Sequence, residues 1–256
     1  MKFGVCKTAD FAKQIKYAGF DYIEPNLAKL SALTDEEFFN TEGVLKDADI
    51  KACAVNCFFP SDILLVGHDV SFDKIRDYTE FALKRASALG VEVAVLGSGK
   101  SRSVPDGFDK NTATEQFKRV VGICSDIGKK YGIKIAIEAL SKKDSNFLNT
   151  VCETKEICDG LGLDNVGITA DFFHMYMNGE SLADFEDAKK YIFHLHIAKP
   201  DPSRVAPSVE DEPTLKAWAQ SIKNIGYDGY MSLECTSKAD FTTAIGDMNS
   251  IKYIFE

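Results

Sequence analysis

Short apolar runs alternate with longer segments of helical period from one end of the chain to the other, and few folds accommodate that rhythm. The runs are KFGVC (2–6), DYIEP (21–25), KACAVNCF (51–58), VEVAVLG (91–97), KIAIEA (134–139), VGITAD (166–171), IFHLHIA (192–198) and GYMSLEC (229–235). Rich in Val, Ile, Phe and Tyr, they suit strands and are too short for buried helices. Between two of them Ser71 can cap a helix whose apolar stripe is Phe72, Ile75, Tyr78, Phe81 and Ala82; Phe117, Val120, Val121, Cys124 and Ile127 form a similar stripe. Gly90, Gly132 and Gly226 follow helical runs, where a left-handed residue ends a helix. Strand and helix in steady alternation imply a parallel sheet with covered crossovers. The competitor is a doubly wound open sheet, but no GxGxxG follows the first run to support a dinucleotide site. The expected fold is therefore α/β, a single (β/α)8 TIM barrel over residues 1–256, with its active site at the C-terminal ends of the strands.

Composition bounds what such a barrel would bind. A formal charge of −9 argues against nucleic acid as the main partner, because a phosphate backbone needs clustered Lys and Arg. Seven cysteines without a CxxC pair, and an opening MKFGVC without a cationic, apolar leader, fit a reducing cytoplasm. No apolar stretch approaches the roughly 20 residues that span a bilayer, so no membrane partner is expected.

The chemistry concentrates in the last four runs, which place Glu138, Asp171, His196 and Glu234 at or near their ends. A strand-end acid can simply cap the next helix or meet a Lys. Asp171, however, ends a buried run, and the next cationic residue along the chain is Lys189. Three carboxylates meeting one imidazole in a dry pocket repel one another unless a cation joins them. The O/N donor set suits one divalent metal ion, Mn²⁺, Co²⁺ or Mg²⁺, with Zn²⁺ also admissible.

The series IEAL, ITADFFH, HLHIAK and SLEC resembles the xylose isomerase-like TIM-barrel superfamily, in particular its sugar phosphate isomerase/epimerase, or ketose 3-epimerase-like, branch. The resemblance implies a metal held by Glu138, Asp171, His196 and Glu234, with His174 and Arg204 touching substrate. It also implies a sugar or sugar-phosphate substrate whose proton beside a carbonyl is removed and returned through an enediolate, and related barrels often form homodimers. Glu138 and Glu234, from strands on opposite sides of the pocket, are the expected catalytic carboxylates; acting together they would invert a stereocentre, and one alone could run an aldose–ketose isomerisation. An inosose dehydratase-like lyase begins with the same proton abstraction and is the alternative. An endonuclease IV-like DNA-repair nuclease shares the barrel, but its three-zinc cluster needs more histidines than the four present.

Further candidates surround this set. In LGSGKSRSVPDGF (96–108), Lys100 and Arg102 either hold a substrate phosphate or sit on a tight βα turn. Asn146, with Lys142 and Lys143, would line the same mouth. Glu24 ends the second run, where it either binds sugar hydroxyls or pairs with a barrel-interior Lys or Arg. His194 should lie one layer below His196 as a core or supporting histidine. His68 reads as a loop residue, Cys53 and Cys57 as small core residues, and Phe172, Phe173 and Trp218 as packing.

Overall fold

The computed structural model describes residues 1–235, 246, 249 and 252–255. Among the described residues there are nine parallel strands: β1 Lys2–Cys6, β2 Tyr22–Glu24, β3 Lys51–Ala52, β4 Ala54–Val55, β5 Val93–Leu96, β6 Lys134–Glu138, β7 Val166–Asp171, β8 Ile192–Ile197 and β9 Tyr230–Leu233. They run in the order β3-β2-β1-β9-β8-β7-β6-β5-β4. Because β3 and β4 are separated only by Cys53, the sheet curls into a nearly closed barrel of eight staves, with helices around it. The expected TIM barrel is the observed fold.

The third stave departs from the single strand expected over 51–58. Its first half bonds to β2 and its second to β5, and the Cys53 carbonyl accepts from the amides of Glu92 (2.9 Å) and Val93 (3.3 Å). The stave thus changes partner in mid-course. Cys57 lies beyond its end in a left-handed conformation (φ 48°) and is exposed, whereas Cys53 is buried; the period-two pattern was extended past the point where the strand stops.

Side chains alternate across the staves. The outward set, including Phe3, Val5, Ile23, Ile135, Ile137, Ile168, Leu195, Ile197, Met231 and Leu233, packs against helix residues such as Ile75, Leu83, Phe117, Val120 and Trp218. Burying each such side chain contributes about 1.5–3 kcal/mol. A second, small cluster of Tyr22, Cys53, Ala54, Val93 and Ala136 plugs the lower interior. Its largest member depends on a glycine: a Cβ on Gly4 would lie 2.2 Å from the Tyr22 ring. Above this plug the inward positions turn polar, with Glu24, Glu138, Thr169, Asp171, His194, His196 and Ser232 all buried.

The helices follow their sequence cues. Ser71 accepts from the Lys74 amide (3.3 Å) at the start of helix Phe72–Ala88, and Gly132 (φ 71°) ends helix Lys110–Tyr131. Phe81 is the exception to its stripe. It is 45% exposed and lies at the edge, where the Arg85 guanidinium covers its ring at 4.5 Å. Among the described residues no helix is long and apolar enough to cross a membrane.

Glu180 joins two of the helices that follow site strands. It comes just after helix Phe172–Asn178, and its Oε2 accepts from Val151 N (2.7 Å) at the start of helix Val151–Leu161. Burial pushes its carboxyl up from 4.5 to about 7, against the smaller opposing effect of the Val151 amide. The folded chain therefore holds this proton more tightly than the unfolded chain. The resulting stability is fully present below pH 4.5 and is lost as pH rises to about 7. Glu180→Gln should remove a destabilisation on the order of 1–2 kcal/mol at pH 8, after allowance for partial exposure, and leave stability at pH 4.5 nearly unchanged. Denaturant melts at the two pH values test this; equal effects of the substitution at both would refute it.

Candidate active site

Four consecutive staves deliver one carboxylate or imidazole side chain each to the upper end of the barrel. Glu138 is the last residue of β6, Asp171 the last of β7, His196 the penultimate residue of β8, and Glu234 follows β9 with its amide still bonded to the Ile197 carbonyl (3.0 Å). One donor atom from each lies within 4.8 Å of all the others. Glu138, Asp171 and His196 are buried, while the Glu234 side chain keeps 19% of its surface exposed.

Half of the Asp171 carboxylate caps a helix, as a strand-end acid can. Its Oδ1 accepts from the Phe173 amide (2.8 Å), capping helix Phe172–Asn178, and Oδ2 faces the cluster. The protein also supplies a cation that sequence proximity did not reveal. Arg204 Nη2 lies 2.8 Å from Asp171 Oδ2 and pairs with Glu234 Oε2, and its guanidinium stacks over Phe173 at 4.7 Å. Phe173 is therefore part of the site, whereas Phe172 stacks on Trp218 as packing. Burial would raise the Glu234 carboxyl, but His196 and Arg204 hold it well below the usual range.

His196 makes the chemistry of the cluster explicit. Its Nδ1 is 3.1 Å from Glu138 Oε1 and 3.2 Å from Glu234 Oε2. Its Nε2 is 2.9 Å from Glu24 Oε1. Burial disfavours an imidazolium here, yet Glu24 and Glu234 raise its pKa well above the ordinary value. Ionised carboxylates only accept, so two acceptor oxygens converging on one ring nitrogen need a shared positive centre, a proton or a metal ion. The residues present fit a divalent cation on this ground.

His174 is buried on the turn after Asp171. The Ser141 amide donates to its Nδ1 (3.1 Å), which places the ring proton on Nε2, 3.5 Å from Asp171 Oδ2. Beside the cluster opens a cavity of about 480 Å³ whose lining includes Cys6, Lys7, Lys29, Asn56, Arg204 and Glu234.

Several expected ligand contacts are elsewhere. Arg102 has no exposed surface; its guanidinium donates to the carbonyls of Leu96 (3.4 Å) and Leu148 (3.3 Å), so it braces the turn instead of meeting a phosphate. Burial lowers its pKa to about 10. Lys100 is exposed on the one-turn helix Gly99–Arg102 and does not line the cavity. Asn146 accepts from Val104 N (2.8 Å) and donates to Val104 O (2.9 Å), pairing two loops. Glu24 meets neither Lys nor Arg but the two histidines of β8, and it is fully buried. His68 packs edge-on against Phe108. Conversely, Asn56 joins the site without any motif to mark it, donating to Glu234 Oε1 (2.8 Å). A polar residue at inward parity near the end of an apolar run was the available signal.

The model of the xylose isomerase-like TIM barrel family matches residues 12–251, and the chain belongs to that family. Among curated proteins, the 2-oxo-tetronate isomerase of Haemophilus influenzae is 32% identical over 177 residues, covering 68% of this chain and 66% of that protein. The inosose isomerase of Halalkalibacterium halodurans is 26% identical over 255 residues, covering 89% and 83%. Among solved structures, a D-psicose 3-epimerase determined in the presence of D-fructose superposes with a TM-score of 0.84 at 18% identity, covering 100% of this chain and 99% of that one. The IOLI protein with a binding zinc atom gives 0.79 at 22% identity, covering 100% and 98%. These two likenesses show a shared fold.

Gly97, immediately after β5, leaves room for the cluster: a Cβ there would lie 2.2 Å from Glu138 Oε2. The clash would fall on the free end of a side chain, so stability should suffer little while the carboxylate is displaced. If the cluster holds an ion, Gly97→Ala should melt within a few degrees of wild type and bind Mn²⁺ at least about tenfold more weakly, a loss of about 1.4 kcal/mol. Calorimetric titration beside a thermal melt checks both; unchanged Mn²⁺ affinity would remove Glu138 from the binding set.

Proposed function

We propose that the protein is a divalent-metal-dependent isomerase or epimerase acting on a sugar or sugar phosphate, by proton transfer at the carbon next to a carbonyl. The observation that carries this reading is the meeting of Glu138, Asp171, His196 and Glu234 within 4.8 Å at the end of the barrel. These four would hold the metal. Mn²⁺, Co²⁺, Mg²⁺ and Zn²⁺ all suit the donors, and a neighbour of the same fold carries zinc. When bound, such an ion supplies Lewis acidity, making the C–H beside a coordinated carbonyl easier to ionise.

The chain's own groups would do the rest. Glu234 borders the cavity and is held ionised, as a base must be. Glu138, three staves away, can present an oxygen from another side, so the pair can remove and return a proton on different faces. His174 offers its Nε2 proton to a substrate oxygen, and the Arg204 guanidinium adds positive charge where negative charge develops. The apolar lower plug excludes water from beneath, and the Phe173 ring supports the Arg204 guanidinium.

The curated relatives are named as isomerases and the structural neighbours include epimerases, which supports this class over a nuclease. Of the four histidines, His194 is bound to Glu24 and His68 packs on Phe108, so few remain for a multi-zinc cluster. An inosose dehydratase-like lyase would use the same first step and is distinguished by loss of water. Lys7 and Lys29 line the cavity, so they, rather than Lys100 and Arg102, would hold a phosphate or carboxylate end of the substrate.

Purified protein loaded with Mn²⁺ should incorporate solvent deuterium beside the carbonyl of at least one member of a panel of ketoses, ketose phosphates, sugar acids and inososes. Glu138→Gln and Glu234→Gln, each at saturating Mn²⁺, should lower that exchange at least about 100-fold. Exchange that survives both substitutions sinks the mechanism. If the active substrate is anionic, Lys29→Ala should raise its KM roughly tenfold with little change in kcat, and a neutral analogue should be unaffected. Steady-state kinetics on the two substrates decides.

A further inference from the structure

Glu24 is unexplained by the ion site just proposed. Its Oε1 is 2.9 Å from His196 Nε2 and its Oε2 is 2.8 Å from His194 Nε2. Oε2 also accepts from the Ser232 hydroxyl, which lies 2.7 Å from Tyr22 Oη. Tyr22, Glu24, His194, His196 and Ser232 all have 0% exposure. An apolar side chain would fill this space without the cost of burying a carboxylate. Glu24 lies outside the set Glu138, Asp171, His196 and Glu234 and groups instead with Cys6 and His196 where the cavity begins. Its contacts point instead to what it does to His196.

An ionised carboxylate only accepts, so both imidazole nitrogens that face Glu24 carry protons. The Nε2 proton of His196 is thereby fixed, and Nδ1 is turned toward Glu138 (3.1 Å) and Glu234 (3.2 Å). His194 has no hydrogen-bond partner at Nδ1, so its polar anchorage rests on Glu24. The two rings meet edge to face at 4.8 Å, which leaves His196 little freedom to turn.

We propose that Glu24 is a positioning residue for the metal site: by holding the Nε2 proton and ring plane of His196, it aims the Nδ1 lone pair between Glu138 and Glu234. Buried partners of this kind on metal-bound histidines typically change ion affinity by 10- to 100-fold. The inference rests on the ion site proposed above, and its failure is distinguishable from the failure of that site.

Glu24→Gln keeps the shape but offers one acceptor oxygen where two served. Zn²⁺ affinity, measured by competition with a chromophoric chelator, should fall about 10- to 100-fold. NMR of ¹⁵N-histidine-labelled protein should show the His196 Nε2 proton far downfield in wild type and shifted upfield in the variant. Ser232→Ala removes one donor to Glu24 with little change in volume, and should give a smaller loss in the same direction even if Glu24→Gln folds poorly. A purely structural role would lower the melting temperature and leave the Zn²⁺ affinity of the folded protein unchanged. Wild-type protein that binds no Zn²⁺ removes the ion site itself. Wild-type affinity retained in both variants, with the His196 proton unmoved, overturns the role of Glu24 and leaves the site standing.

Discussion

The period-two pleat of a parallel stave is the constraint from which both the core and the site follow. A segment such as IFHLHI must satisfy an apolar helix layer on one side and a narrow barrel interior on the other. Leu195 and Ile197 serve the first, His194 and His196 the second. The same division recurs in KIAIE, where Ile135 and Ile137 face the helices while Ala136 and Glu138 face inward. A slip of one residue in register would bury the wrong set on both sides at once, so the packing that stabilises the fold also fixes the aim of the reactive groups.

Polar groups concentrated at one end of a closed interior create an electrostatic problem that the chain solves in layers. Glu24 is stabilised by two imidazoles and a hydroxyl, and despite burial its carboxyl stays well below the usual range. Asp171 and Glu234 are met from above by Arg204. Between these layers His196 faces carboxylates on both sides, which leaves the space at its Nδ1 as the place where one more positive centre completes the balance.

Much of this was legible in the sequence because the information is local. Strand ends, helix caps at Ser71 and Gly132, and the four converging carboxylate and imidazole positions each lie within or beside a single run. What escaped was set by distant partners. Asp171 has no cation near it in sequence, yet Arg204 reaches it from a loop 33 residues on. The parity of Glu24 was readable, but not that its partners would be histidines from a strand about 170 residues away. Arg102 and Asn146 looked like ligand-binding groups because a glycine-rich turn with polar residues suits phosphates and backbone bracing equally; the carbonyls of Leu96, Leu148 and Val104 decide for the latter.

The divided third stave gives the cylinder a seam. Elsewhere neighbouring staves share ladders of three or four matched residues, but β3 and β4 give only two matched residues to each side. Asn56, the amide that bonds Glu234, lies just above that joint, and Cys57 beside it opens onto the cavity wall. The joint is tied again just beyond its short ladders, because Asn56 bridges Asn26 through its backbone and Glu234 through its side chain, so the stave that gives the sheet least pairing also buttresses one member of the charged cluster.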